Sequence, residues 1–268
     1  MLILMDNGSL EPASTLALRE LSARLSVRLA RPVAPVSLLH SSKIPADALG
    51  GVPADTLETF LKNLPEADAG DVSIVPLFFG PSLALCDYLP ARLASLGRRR
   101  PGLSVSVAPC LCGDLQGEEA VADMLARAVR ERLAQIGGPA PVVLVDHGSP
   151  AAAVTAVRDR LAMALRRRLG DAATGVLAAS MERREGDEYA FNEPLLADAL
   201  RMPGFDSGDV IVALQFLFPG RHAGPSGDID QICAAAGAAS PALRCHMTRT
   251  LGGDDALLEL LAHRAAQL

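Results

Sequence analysis

The stretches MLILMDNGS (residues 1–9) and PVVLVDHGS (residues 141–149) carry one pattern twice: an apolar run, then Asp, a variable residue, Gly and Ser. Asn7 and His147 hold the variable place, 140 positions apart. A second echo pairs Gly70-Asp71-Val72 with Gly208-Asp209-Val210 at an offset of 138, each followed by an apolar run ending in phenylalanines. The register drifts by only two residues over much of each half, which marks a tandem repeat. Gly137-Gly138-Pro139-Ala140-Pro141 is the linker candidate, and it divides the chain into domains at 1–138 and 139–268.

Within each half, short apolar runs alternate with segments of helical periodicity. Leu2 to Met5 reads as a buried strand; Leu18, Leu21, Leu25 and Leu29 then recur at helical spacing after Pro12. Strands at 33–39, 72–79 and 103–108 follow, with helices through Leu57, Phe60, Leu61 and Leu64, near 85–97, and through Val121, Leu125, Ala128 and Leu133. The second half repeats this with strands near 142–145, 174–179, 209–218 and 242–248, and a last helix from about Asp254 to Ala265. Such alternation predicts an α/β fold: two doubly wound domains, each with a four-stranded parallel sheet covered on both faces.

Composition narrows the function. With 25 basic and 31 acidic side chains in 268 residues, a formal charge of −6, no Trp, two Tyr and seven Phe, the chain is a poor nucleic-acid binder. Mean hydropathy is +0.26, but no apolar run approaches the ~18 residues of a membrane span. Five cysteines form no disulfide framework, and Met-Leu-Ile-Leu-Met is too short and uncharged for a signal peptide. A reducing cytoplasm is the expected compartment.

In a doubly wound sheet with strand order 2-1-3-4, ligands bind beyond the carboxyl ends of the strands, between the first and third. In the second half, His147 leaves the first strand in Asp146-His147-Gly148-Ser149 and His222 follows the third in Phe218-Pro219-Gly220-Arg221-His222. The two histidines therefore flank one crevice. Ser180-Met181-Glu182-Arg183-Arg184-Glu185 ends the second strand and offers a carboxylate. Either His alone reads better as a loop-end residue bonded to backbone; their joint placement favours a site. Two imidazoles and a carboxylate suit cobalt, iron, nickel or zinc, and three protein ligands leave positions open for a substrate.

The repeated halves, the Asp146-His147-Gly148-Ser149 turn and the stretch FLFPGRHAGPSGDI (216–229) resemble the class II tetrapyrrole chelatases, in particular the sirohydrochlorin chelatases of the cobalamin and siroheme pathways. The resemblance implies two flavodoxin-like domains facing across a cleft, and insertion of a divalent metal, Co²⁺ first and Fe²⁺ or Ni²⁺ next, into a tetrapyrrole without ATP. The chain has no Gly-rich loop ending in Lys-Ser or Lys-Thr, in keeping with a reaction that uses no nucleotide. His147 and His222 match the family's metal-binding histidines, and Glu182 its acidic partner by position, with Glu185 or Glu193 as substitutes. His147 is assigned as both ligand and base, because metal entry releases two pyrrole N–H protons.

The first half departs from the short members of the family. Asn7 stands in place of His, and FFGPSLA (78–84) has no histidine, so the metal site is expected in the second half alone. His40 is expected at the place corresponding to Met181 or Glu182, facing the cleft or in a solvated or capping role. A polycarboxylated macrocycle calls for fixed cations, so Arg221, Arg183, Arg184 and Lys43, with Ser149, are the candidate substrate contacts. Cys110-Leu111-Cys112 reads as buried strand-end cysteines. Asp146, His147 and Ser149 lie too close in sequence for a hydrolase triad. The alternatives to a chelatase are a non-catalytic metal or tetrapyrrole carrier and a small-molecule binder without metal.

Overall fold

The computed structural model describes residues 1–65 and 71–268; Gly70, part of the second echo, lies outside the described residues. The first sheet comprises β1 (Leu2–Asp6), β2 (Val33–Ser37), β3 (Asp71–Pro76) and β4 (Ser104–Val107). Its helices are α1 (Pro12–Leu29), α2 (Leu57–Asn63) and α3 (Leu89–Arg99). After α4 (Leu115–Ile136), the second sheet comprises β5 (Ala140–Asp146), β6 (Ala173–Ser180), β7 (Gly208–Leu214) and β8 (Leu243–Met247). Helices α5 (Ala152–Leu169), α6 (Leu196–Ala199), α7 (Asp228–Ala239) and α8 (Asp255–Ala266) complete the chain.

Both sheets are parallel throughout, in the orders β2-β1-β3-β4 and β6-β5-β7-β8. The two four-stranded α/β sheets expected from the repeat are present. The central strands are apolar on both faces, as a doubly covered sheet requires: Leu2, Ile3, Leu4 and Met5 are buried, as are Val142 to Val145. Ile3, Met5, Val36, Leu57, Leu61 and Ile74 share one cluster, and Val143, Val145, Val212, Leu214 and Ile229 another. Among the described residues no helix is long and apolar enough to cross a membrane.

Three strands end two or more residues short of expectation, β2 at Ser37 rather than Leu39. β3 ends at Pro76 rather than Phe79, and β7 at Leu214 rather than near 218. Leu77 N–H still donates to Met5 O (2.7 Å) and Gln215 N–H to Val145 O (2.9 Å). The carbonyls of Phe78 and Phe216 then accept from Leu111 and Leu251 in the connections that follow β4 and β8. The apolar run outlasts the strand because these turning residues stay partly buried. The helix expected near 85–97 opens as a π turn at Ala84–Tyr88 and continues as α3.

Packing divides the chain differently from the repeat. One compact unit is Met1–Asp114 with Asp255–Leu268; the other is Leu115–Asp254. Helix α4, the last of the first repeat, packs along α5 and β7, while α8, the last of the second, packs against α1 and β3. Each sheet is thus closed by the helix that ends the other repeat. In the first unit, Arg28 forks onto Glu259 (2.8 Å, twice), and the fully buried Arg264 donates to Leu111 O (3.0 Å) and the Asp114 carboxylate. The expected boundary at 138/139 marks the repeat, whereas the compact units change over at 114/115 and 254/255.

Candidate metal centre

In the second unit, β5 and β6 continue to pair past their ends: Met181 N–H donates to Asp146 O (2.8 Å) and Glu182 N–H to His147 O (3.2 Å). Gly148 makes this possible. Its φ is +90°, and a Cβ there would overlap the Glu182 carbonyl oxygen. The approach sets His147 beside Glu182, with Nε2 to Oε1 at 3.6 Å. His147 Nδ1–H donates to Gly148 O (3.2 Å), which leaves the lone pair on Nε2.

His222 reaches the same place from the loop after β7. Gly224 N–H donates to Gly220 O (2.8 Å), and Asp228 and Ile229 N–H return to the carbonyls of Arg221 and His222, 3.1 Å each. The rings of His147 and His222 meet edge to face, centroids 4.6 Å apart and planes at 82°. His222 Nδ1–H donates to Asp228 Oδ2 at 2.6 Å, so its Nε2 also keeps a lone pair. A carboxylate behind a histidine is the usual outer partner of a metal ligand. Side-chain exposures of 46% for His147, 61% for Glu182 and 32% for His222 leave all three open to a ligand. Among the described residues no group of three or more His, Cys, Asp or Glu stands ready to hold a metal ion. Coordination at about 2.0–2.2 Å therefore requires these side chains to rotate inward.

Behind the His147 turn lies a buried polar network that composition and spacing did not reveal. Arg158 of α5, 2% exposed, donates through Nη1 to Ser180 Oγ (2.6 Å) and Asn192 O (2.8 Å), and through Nε and Nη2 to Asp159 Oδ1. Ser180 Oγ donates to Asp146 Oδ1 (2.6 Å), which also accepts from Gly148 N–H (3.1 Å). Asn192 clamps the turn from its other side: its Oδ1 accepts from Ser149 N–H (2.9 Å) and its Nδ2 donates to Ser149 O (2.9 Å). Burial pushes the Asp146 carboxyl above its ordinary range, against the opposing pull of Ser180, Arg158 and Gly148 N–H. The legible signal was an arginine on the buried face of α5, in line with Thr155, Leu161 and Leu165. Asp228 had none, since it meets His222 only because the loop folds back on itself to the start of α7.

The remaining candidates fall in several places. Arg183 is engaged locally, donating to Arg184 O (3.0 Å) and Gly186 O (2.9 Å) and pairing with Glu193 (2.8 Å). Glu185 is exposed. Arg184 lies over the Tyr189 ring, 5.9 Å from its centroid. Arg221 is largely exposed, with Nε 3.7 Å from Asp228 Oδ2. Ser149 Oγ accepts from Ala151 N–H (3.1 Å) in the turn before α5.

In the first unit, Leu39 N–H donates to Asn7 O (3.1 Å), and a Cβ on Gly8 would overlap the Leu39 carbonyl oxygen. Leu39 is therefore the counterpart of Glu182. His40, expected at the place corresponding to Met181 or Glu182, stands instead one residue on, at the place corresponding to Arg183, with φ of +65°. Lys43 is exposed on a 3-10 turn of that unit. Cys110 and Cys112 are buried, as expected.

The CbiX family model matches residues 141–268. Comparison with curated proteins gave no match. Among solved structures, SirB from Bacillus subtilis with Fe³⁺ superposes with a TM-score of 0.68 at 15% identity, over 99% of this chain and 94% of that one. The sirohydrochlorin chelatase SirB from Bacillus subtilis subspecies spizizenii, in complex with cobalt, gives 0.64 at 18% identity, over 99% and 93%. CbiX, the terminal enzyme for biosynthesis of siroheme in denitrifying bacteria, gives 0.60 at 16%, over 99% and 97%. The CbiX model thus matches the second half of the chain, and the likeness in fold to these chelatase structures extends over both halves.

Proposed function

We propose that the protein is a sirohydrochlorin chelatase that inserts a divalent metal, Co²⁺ in first place and Fe²⁺ next, into the tetrapyrrole without ATP, in cobalamin or siroheme biosynthesis. The observation that carries this is the meeting of His147, Glu182 and His222 at the carboxyl ends of β5, β6 and β7, in the half that matches the CbiX family. The SirB structures hold iron in one case and cobalt in the other, and His and carboxylate ligands accept both.

The metal is a substrate, so its ligands must bind it and let it go. Two neutral imidazoles and one exposed carboxylate suit this better than a closed four-ligand site. Asp228, by fixing the His222 tautomer, keeps Nε2 as donor toward the metal. Insertion releases two protons from the pyrrole nitrogens; Glu182 and His147, side by side, are the bases at hand. Arg221, Arg184 and Lys43 are the cations assigned to the macrocycle's carboxylates, with Ser149 beside the metal turn. Arg183, engaged with Glu193, acts by shaping the loop after Glu182.

The test is anaerobic absorbance with sirohydrochlorin and Co²⁺, Fe²⁺ or Ni²⁺ separately, against the protein-free rate. Multiple turnovers are expected, falling at least about 100-fold in His147→Ala and His222→Ala with the thermal melt unchanged. Full activity in both variants overturns the assignment. A spectral shift that saturates at one ligand per chain without turnover makes the protein a carrier.

A further inference from the structure

The turn after β2 holds a histidine in a strained conformation. His40 has φ of +65° and ψ of −42°, and Ser41 N–H donates to Leu39 O (2.8 Å) across it, which makes a γ-turn of the rare, strained hand. Glycine adopts such a backbone freely, whereas a residue with a side chain is strained by it. The surroundings fix the turn: Ser41 is fully buried and donates to Ser37 Oγ (2.7 Å), and Lys43 N–H donates to His40 O (2.9 Å). Strain retained in this way points to a use for the side chain.

The His40 ring lines a cavity of about 120 Å³ between this turn, the start of α2 and the first turns of α3. Helical spacing sets Tyr88, Arg92 and Leu96 along one wall, and Leu38, Leu57 and Leu96 are buried beneath it. The Arg92 guanidinium lies over the Tyr88 ring, 4.9 Å from its centroid. Stacking engages the flat face of the guanidinium and leaves its N–H edge free. Arg92 and His40 are exposed at the mouth, and neither side chain has a hydrogen-bond or ion-pair partner among the described residues. Two other polar side chains of the wall are engaged: Thr56 Oγ1 accepts from Thr59 N–H (3.4 Å), and Glu58 pairs with Lys62 (2.7 Å). Lys62, and after it Arg92 and Arg99, hold the Glu58 carboxyl below its ordinary range, so cations outnumber that carboxylate here. Two unpartnered donors above an apolar floor select a ligand with an anionic acceptor head and a short apolar tail.

We propose that this cavity binds a small carboxylic acid as its anion: the Arg92 fork and the His40 ring N–H hold the carboxylate, and Leu38, Leu57 and Leu96 cover the tail. At about 30 Å³ for each water, the space equals roughly four waters, enough for the head group and about two or three carbons. The apolar floor favours a carboxylate over phosphate, whose further oxygens would lie there without donors. The site belongs to the first unit alone and does not rest on the chelatase reading.

The experiment is calorimetric titration of the full chain with butyrate, against butyramide, which has nearly the same shape without the charge, and against inorganic phosphate, at fixed pH and ionic strength. One saturable site with a Kd on the order of 1 mM is expected for butyrate, with weaker binding of the other two. Arg92→Gln should weaken it about tenfold or more, and Arg92→Lys, which keeps the charge and loses the fork, should recover only part of that. Tyr88→Leu, which removes the face that orients Arg92, should weaken it about threefold. His40→Gly separates use from architecture: binding should weaken about fivefold while the melting temperature rises, because glycine relieves the turn. Absence of saturation by butyrate, equal binding of butyramide, tighter binding of phosphate, or undiminished affinity in either Arg92→Gln or His40→Gly overturns the proposal.

Discussion

Asp6 and Asp146 are the same residue of the repeat in two different environments. Each ends the first strand of its sheet and bonds a serine on the neighbouring strand, but only Asp146 has an arginine nearby, Arg158 Nη1 at 4.0 Å. Asp6 Oδ1 is buried without a partner among the described residues, and burial pushes its carboxyl up to about 6, against hydrogen bonds from Ser37 and Gly8 N–H that pull it down. Below the unfolded value near 3.8 both states hold the proton. As pH rises from there to about 6 the unfolded chain loses its proton first, so the wild type loses stability across that window and stays penalised above it. Asp6→Asn should therefore stabilise the protein at pH 8 by about 1–3 kcal/mol, an advantage that shrinks to nothing by about pH 4. Paired denaturation curves at the two pH values check this, and an advantage independent of pH would locate the effect elsewhere. The aspartates were legible as part of the repeated motif. Their difference was not, because it depends on a residue twelve positions further on that only folding brings near.

At the scale of elements, what was legible followed from period and hydrophobicity. The eight strands follow from short buried runs separated by helices, whereas the order 2-1-3-4 was assumed from doubly wound topology and is found in both sheets; Gly148 and Gly8 mark the turns where strand ends close up. The orientation of His147 was not legible, since it is set by α5 and by residues 189–192, which lie in other parts of the sequence. Arg158 joins these pieces: it ties the helix to Ser180 on β6 and to the Asn192 backbone, while Asn192 holds both backbone groups of Ser149. Arg158→Leu, the residue found at the matching place in α1, leaves Asp146 buried without its cation and should cost about 3–5 kcal/mol, measured by denaturant unfolding. It should also lower metal affinity by loosening the His147 turn, whereas His222, held by Asp228, keeps its position. Restoration of stability by Arg158→Lys would show that charge alone suffices; the fork of contacts to Ser180, Asn192 and Asp159 predicts that it does not.

For the whole molecule, the repeat boundary and the folding boundary differ, and a cut of the chain separates them. Amphipathic spacing in α4 and α8 shows that each helix buries a face, but it carries no information about which sheet receives it; a helix ending one repeat reads as part of that repeat. The structure gives α4 to β7 and α5, with Val121, Met124, Leu125, Val129 and Leu133 all buried, and gives α8 to α1 and β3. A fragment cut at the repeat, 139–268, lacks α4 and retains an α8 whose sheet is absent. A fragment cut by packing, 115–254, keeps β5 to β8 with α4 to α7, and with them His147, Glu182, His222, Asp228, Arg158 and Asn192. At roughly 1.5–3 kcal/mol for each fully buried large apolar side chain, the α4 face is worth on the order of 10 kcal/mol, comparable to the whole stability of a typical domain. Fragment 115–254 should therefore melt cooperatively by circular dichroism, and 139–268 should show no cooperative transition. If 139–268 melts as sharply as 115–254, α4 is dispensable to the second sheet, and the halves fold along the repeat that the sequence displays.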